Sequence, residues 1–292
     1  MMDMRGCYTA LVTPFRQDQV DVEALRQLVE AQVAGGVAGL VPVGTTGESP
    51  TLDIDEHLRV IRLVTEFANK RCTVIAGTGA NSTAEAIHLT KEVAHYGVDA
   101  TLQVTPYYNK PTAEGLYRHF SMIADQCGLP VVLYNVPGRS AKEIDIKTVA
   151  RLAANPRIVA IKEAGGSADR VSQILDACNL TVLSGDDALT LPMMVLGATG
   201  VISVVSNVVP AAVSELVALA LKGDWLGARQ QHYRLYPLFR DLFIETNPIP
   251  VKAALAMLGM IAEEYRMPLC AMSDANRQVL KDSMRKAGLN VA

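Results

Sequence analysis

Cysteine is scarce and poorly spaced for cross-linking. The five thiols, Cys7, Cys72, Cys127, Cys178 and Cys270, are odd in number and far apart. No Cys-x-x-Cys pair occurs, which argues against a zinc knuckle or a disulfide framework. They are expected to be reduced, mostly buried thiols of a cytoplasmic protein. Aromatic residues make up only 5% of the chain, too few to suggest base-stacking platforms. Neither sign of charge dominates: 27 basic against 30 acidic residues leave a net charge of -3. No run of lysine or arginine is present to attract nucleic acid or an anionic membrane. No clustered histidines accompany Asp186-Asp187, so neither a metal nor any other cofactor is expected. Residues 1–4 hold no basic segment leading into an apolar run, and no signal peptide is expected. The most apolar stretch, 188–221, is broken by Pro192, Gly197, Gly200 and Pro210. It reads as buried strand and helix pieces rather than a membrane span.

What is present is alternation. In a chain of 292 residues, half of them hydrophobic, short β-rich runs take turns with longer helical patterns. Strands are expected at 8–13, 39–43, 73–77, 100–105, 131–136, 158–163, 180–185 and 200–205. Most are nearly continuous in apolar residues, as parallel strands covered by helices should be. Helices are expected at 22–34, 55–69, 83–95, 113–126, 146–154, 168–177 and 188–196. Asp21 is a good N-cap before Val22, Ser82-Thr83-Ala84-Glu85 reads as a capping box, and Gly35 and Gly97 are natural stops. Eight strand–helix pairs predict an α/β fold, a (β/α)8 TIM barrel, with a doubly wound open sheet as the alternative. After Pro210 only helical signals remain. The reading is a barrel over 1–224 and a helical extension over 225–292.

In such a barrel, chemistry belongs at the C-terminal ends of the strands. Lys162 ends the run Ile158-Val159-Ala160-Ile161-Lys162-Glu163, and alternation puts Ile158, Ala160 and Lys162 on one face. An amine among apolar walls loses its preference for the charged form and becomes free to attack a carbonyl. The plainer alternative is a strand-end lysine reaching water. Tyr134 ends the preceding strand, where a phenol beside an imine can carry protons; a core tyrosine bonded to backbone is the alternative. Arg139 follows Pro137-Gly138 at the same mouth, where a guanidinium can hold a carboxylate in a fork, unless it is an ordinary surface arginine. Gly44-Thr45-Thr46-Gly47-Glu48 joins a strand to a helix and offers hydroxyls and backbone N–H groups to a small anion. It is not a nucleotide loop, because no Gly-Lys-Ser/Thr follows. Of the neighbours Tyr107 and Tyr108, at most one can reach the same site. Gly77-Thr78-Gly79 begins like a dinucleotide fingerprint but has Ser82 where a third glycine is needed.

Together these residues resemble the dihydrodipicolinate synthase family, within the wider N-acetylneuraminate lyase superfamily of class I aldolases. The similarity spans essentially the whole chain, including Glu245-Thr246-Asn247-Pro248-Ile249-Pro250-Val251-Lys252. Its most specific wording is Tyr134-Asn135-Val136-Pro137-Gly138-Arg139, because sugar-acid aldolases usually carry other residues at that arginine. The resemblance implies a lyase that condenses pyruvate with L-aspartate 4-semialdehyde, the first committed step of diaminopimelate and lysine biosynthesis. Another pyruvate aldolase, acting on a sugar acid or keto acid, is the alternative. By the same resemblance, Lys162 would form the Schiff base with pyruvate. Tyr134, Thr45 and Tyr108 would relay protons, with Tyr108 reaching in from a neighbouring subunit. Thr46 would hold the pyruvate carboxylate together with Thr45, Gly185 and the carbonyl of Ile202 would line the pocket, and Arg139 would receive the second substrate. The resemblance also implies a homotetramer built from tight dimers. Ser49, His57, Asn81, Glu85 and Tyr107 match an inhibitory lysine site of some members, from which Ile54 and Pro50 depart.

Overall fold

The structure, a computed structural model, describes residues 4–291. Eight parallel strands close into a barrel: β1 (Gly6–Ala10), β2 (Gly39–Val41), β3 (Thr73–Gly77), β4 (Ala100–Val104), β5 (Val131–Asn135), β6 (Ile158–Glu163), β7 (Thr181–Ser184) and β8 (Gly200–Ser203). Each strand pairs with its sequence neighbours, and β1 closes the ring against β8. The barrel expectation therefore holds and the open sheet is excluded. The helices between and after the strands are α1 (Val22–Ala34), α2 (Ile54–Ala68), α3 (Thr83–Ala94), α4 (Ala113–Cys127), α5 (Ile146–Ala153), α6 (Asp169–Ala177), α7 (Thr190–Val195) and α8 (Pro210–Leu221). Side-chain caps start several of them. Asp21, Asp53, Ser82, Thr112 and Asp145 each accept from a backbone N–H of the first turn.

Strand side chains divide between two apolar layers. Tyr8, Val41, Ile75, Leu102, Val132, Leu183 and Ile202 fill the barrel interior. Leu40, Val74, Leu133, Ile161, Val182 and Val201 pack outward on the helices. Burial on both faces is why these strands read as continuous apolar runs rather than alternating ones. In β6 the simple alternation breaks down. The β5–β6 register slips between Val131 and Val132, so Ile158 joins the outer layer and Val159 the inner one. From Ala160 onward the expected faces return, and Lys162 stands on the interior side.

Most strands end one to three residues earlier than the sequence suggests, because the chain leaves the ladder to build the loops at the mouth. Val43 already has φ +55°. At the end of α1 it is Gly36, not Gly35, that takes the left-handed turn, with φ +71°. Gly35 is needed for a different reason: a Cβ there would lie 2.6 Å from the ring of Pro210. Three further helices complete the fold, α9 (Trp225–Asp241), α10 (Ile249–Met257) and α11 (Asp274–Lys286). Their buried residues Leu235, Leu238, Val251, Leu255, Leu280 and Met284 belong to the same core as the outer face of the barrel. The chain between α9 and α10 crosses back over the strand ends. The apolar stretch 188–221 is β8 flanked by two short helices. Among the described residues no helix is long and apolar enough to cross a membrane.

Candidate active site

Lys162 and Tyr134 face each other from β6 and β5, as register partners on adjacent strands. The lysine is 5% exposed and the tyrosine 6%. The ammonium nitrogen lies 4.3 Å from the centre of the phenol ring. Below them the interior is apolar. Above them opens a cavity of about 340 Å³ lined by Thr45, Thr46, Arg139, Gly185 and Asn247 among others. Gly185 packs against the lysine itself: a Cβ there would stand 3.1 Å from Lys162 Cγ and Cε.

The strand ends that carry this pair are fixed from outside the barrel. Glu163, next in sequence to Lys162, points the other way and is buried. It accepts from Asn135 Nδ2 at 2.9 and 3.0 Å, from the Gly165 N–H at 2.7 Å and from Arg170 at 3.3 Å. Burial raises its pKa above the ordinary carboxylate value, against the opposing pull of Arg170. Arg170 also donates to the Ile144 carbonyl, and Asn135 Oδ1 accepts from the Ile144 N–H. This ties the loop after Arg139 to both strands. Across the mouth, Asp187 accepts from Ser203 Oγ at 2.5 Å and from the N–H groups of Val204 and Val205. Burial pushes its pKa up to about 6 despite those bonds. Its oxygens are committed to shaping the loop after β8.

The threonine turn is a short 3-10 element, Thr45–Gly47. Thr46 is buried, and its hydroxyl accepts from Asn247 Nδ2 at 3.0 Å. Arg139 sits exposed on the turn Pro137–Ser140, where it donates to the Asn247 carbonyl at 3.3 Å. A guanidinium has five N–H donors in a fixed fork, so this bond leaves others for a ligand carboxylate. One cavity therefore joins a buried lysine, a phenol, two threonines and a guanidinium.

A model of the dihydrodipicolinate synthetase family matches residues 3–287. The chain belongs to that family. A 4-hydroxy-tetrahydrodipicolinate synthase of Thermodesulfovibrio yellowstonii is 53% identical over 287 residues, 98% of this chain and 99% of that relative. The solved structure of the 4-hydroxy-tetrahydrodipicolinate synthase from Methylacidiphilum fumariolicum SolV is also 53% identical, with a TM-score of 0.97 and coverage of 98% and 96% of the two chains. The chloride-inhibited dihydrodipicolinate synthase from Acinetobacter baumannii, solved in complex with pyruvate, is 45% identical at the same TM-score, covering 99% of this chain and 100% of that one.

Within this dihydrodipicolinate synthetase family member, the remaining expected residues fall in two places. Ile202 is 1% exposed in the interior layer, and it is Val204 that reaches the cavity surface. Tyr108 is 90% exposed at φ +71° and is not among the residues lining the cavity. A second cavity, about 220 Å³, continues from Thr45, Tyr134 and Arg139 toward Ser49, Pro50 and Tyr107. Asn81 donates to the Tyr107 carbonyl at 3.2 Å. Desolvation, with Glu85 nearby, raises the pKa of the Tyr107 phenol. His57 is not among the residues lining this second cavity: its Nε2 meets the Gly77 carbonyl at 2.7 Å, and burial lowers its pKa. Ile54 is half exposed. Sequence reasoning named Asn247 only within the segment 245–252 and gave it no role, and it did not name Phe239 or Phe243; all three line the cavity from the C-terminal segment. Nothing in their local pattern announces a site, because only the crossing after α9 carries them to the mouth.

Proposed function

We infer that this chain joins pyruvate to L-aspartate 4-semialdehyde, the 4-hydroxy-tetrahydrodipicolinate synthase reaction, through an imine on Lys162. The observation that carries the role of Lys162 is its place: a buried amine at the top of β6, facing Tyr134 and opening into a cavity with anion-binding groups. The amine attacks the keto carbon of pyruvate. Tyr134 supplies the proton with which the carbinolamine oxygen leaves as water. Loss of a methyl proton gives the enamine, whose carbon adds to the aldehyde while the aldehyde oxygen takes up a proton. The amino group of the product then attacks the imine carbon, closing a ring and releasing Lys162. Thr45 and Thr46 bind the pyruvate carboxylate, and Arg139 the carboxylate of the aldehyde.

Tyr108 completes the proton relay in the site of a second copy. Its exposure and its left-handed backbone suit a side chain presented outward. The assembly this requires is a dimer, paired into a tetramer. The cluster of Ser49, Asn81, Glu85 and Tyr107 receives free lysine as an inhibitor, with His57 contributing little. An unchanged rate in millimolar lysine would remove that assignment. The five free thiols fit a reducing cytoplasm.

The test offers pyruvate with aspartate semialdehyde, succinic semialdehyde, glyceraldehyde or an N-acetylated mannosamine, and follows pyruvate consumption. Consumption with aspartate semialdehyde alone is expected. A sugar aldehyde as the preferred partner would move the chain to a sibling aldolase. Lys162→Ala should fold and lose turnover by roughly a thousandfold or more, and retained activity would end the imine mechanism.

A further inference from the structure

Glu48 and Lys252 form an ion pair whose two side chains are both 0% exposed. A wholly buried ion pair gains little or nothing in net stability over an apolar pair of the same volume, so its presence invites a reason other than strength. Its location supplies one. Glu48 directly follows the turn Thr45–Gly47 and has φ +56°, a left-handed conformation that costs a non-glycine residue energy and persists only where its surroundings enforce it. Here the surroundings are Lys252 on one carboxylate oxygen and the Arg266 N–H, at 3.1 Å, on the other. Lys252 is held in turn over the Phe15 ring, 4.3 Å from its centre.

Lys252 also belongs to the segment that closes the site. Its N–H bonds the Pro248 carbonyl at 3.0 Å in the first turn of α10. Immediately before Pro248, Asn247 donates to Thr46 and accepts from Arg139. The threonine turn is thus gripped at successive residues: Thr46 by Asn247, Gly47 by Thr13 Oγ1 at 2.8 Å, and Glu48 by Lys252. Two of these three grips come from a single short stretch of the C-terminal segment.

We propose that the Glu48–Lys252 pair is a positioning device that locks the Thr45–Thr46 turn to the Asn247 segment and so presets the carboxylate-binding wall of the site. It touches no reacting atom. The proposal rests on the reading of Lys162 as the imine former and Thr45–Thr46 as the carboxylate cradle. Loosening the cradle weakens binding equally in the ground and transition states, which raises KM and spares kcat. A pair that merely pins α10 to the barrel would lower stability and leave KM alone.

The decisive variant is the double substitution Glu48→Gln/Lys252→Met, which removes both charges at nearly constant volume and strands neither. Glu48→Gln alone is the second variant: its single amide oxygen cannot accept from both the Lys252 amine and the Arg266 N–H, so the lock is loosened in either amide orientation. The wild type is first treated with pyruvate and borohydride, with the Lys162 adduct read by mass spectrometry. No adduct there would overturn the imine reading and not the positioning device. With the adduct present, a folded double variant is expected to show a pyruvate KM raised about tenfold or more and a kcat within about threefold. The adduct should still form fully at saturating pyruvate. A wild-type pyruvate KM in the folded double variant overturns the proposal. If the double variant does not fold, Glu48→Gln decides on the same two readings.

Discussion

The Lys162 amine lies 4.3 Å from the centre of the Tyr134 ring, held there because the two residues are register partners on β5 and β6. This relationship is set by strand pairing and not by a loop, so it depends on the tightest part of the fold. It also separates two contributions of the tyrosine. The ring face is an electrostatic neighbour of the amine, and the hydroxyl is the group proposed to carry protons at the cavity.

Tyr134→Phe keeps the first contribution and deletes the second. The variant should fold with a stability close to that of the wild type. Its kcat should fall by about 10²–10⁴-fold, the range for a lost general acid/base. Borohydride trapping should still label Lys162 with pyruvate, at a slower rate. A kcat within a few-fold of the parent would return Tyr134 to the status of a packed core residue.

Gly185 tests how tightly the amine is placed. A methyl group there would stand 2.7 Å from Ala164 Cβ and 3.1 Å from Lys162 Cγ and Cε. Ala164 has no side-chain freedom with which to yield, so the lysine must move. Displacements of about 1 Å cost roughly 10²-fold in rate. Gly185→Ala should therefore remain folded and lose about that much kcat, with slower imine formation in a single turnover. A normal single-turnover rate would mean that the lysine accommodates the methyl without consequence.

The barrel was legible because eight buried strands each leave a local apolar signature, and Lys162 because it interrupts one of them. Tyr134 and Arg139 followed from their position at strand ends. What the sequence could not give lies across distance. The placement of Asn247 against Thr46 spans 201 positions, and that of Lys252 against Glu48 spans 204; no periodicity encodes either. The β6 faces before Ala160 were misread because a register slip is set by the partner strand. Tyr107 and Tyr108 read as one ambiguous pair because both lie in the loop past the end of β4, where no strand alternation tells the half-buried Tyr107 from the exposed Tyr108.

His119 predicts how the fold answers to acid. It sits on α4 with Nδ1 2.9 Å from Thr83 Oγ1 and with a buried Nε2 that meets no partner among the described residues. Burial lowers its pKa from 6.5 to about 4. Above pH 6.5 the imidazole is neutral in the folded and the unfolded chain, and its contribution is fully present. Below 6.5 the unfolded chain takes up a proton that the folded chain resists. Stability is then lost by about 1.4 kcal/mol per pH unit until the folded pKa is reached, a total on the order of 3 kcal/mol. His119→Gln removes this component and retains a polar group for Thr83. Urea midpoints measured at pH 7.5 and pH 5 should fall further in the wild type than in the variant. Ionised carboxylates held by arginines contribute an acid loss common to both proteins, so the difference between the two falls isolates the imidazole. Equal falls would mean that His119 is protonated in the fold at pH 5, with Nε2 reaching solvent.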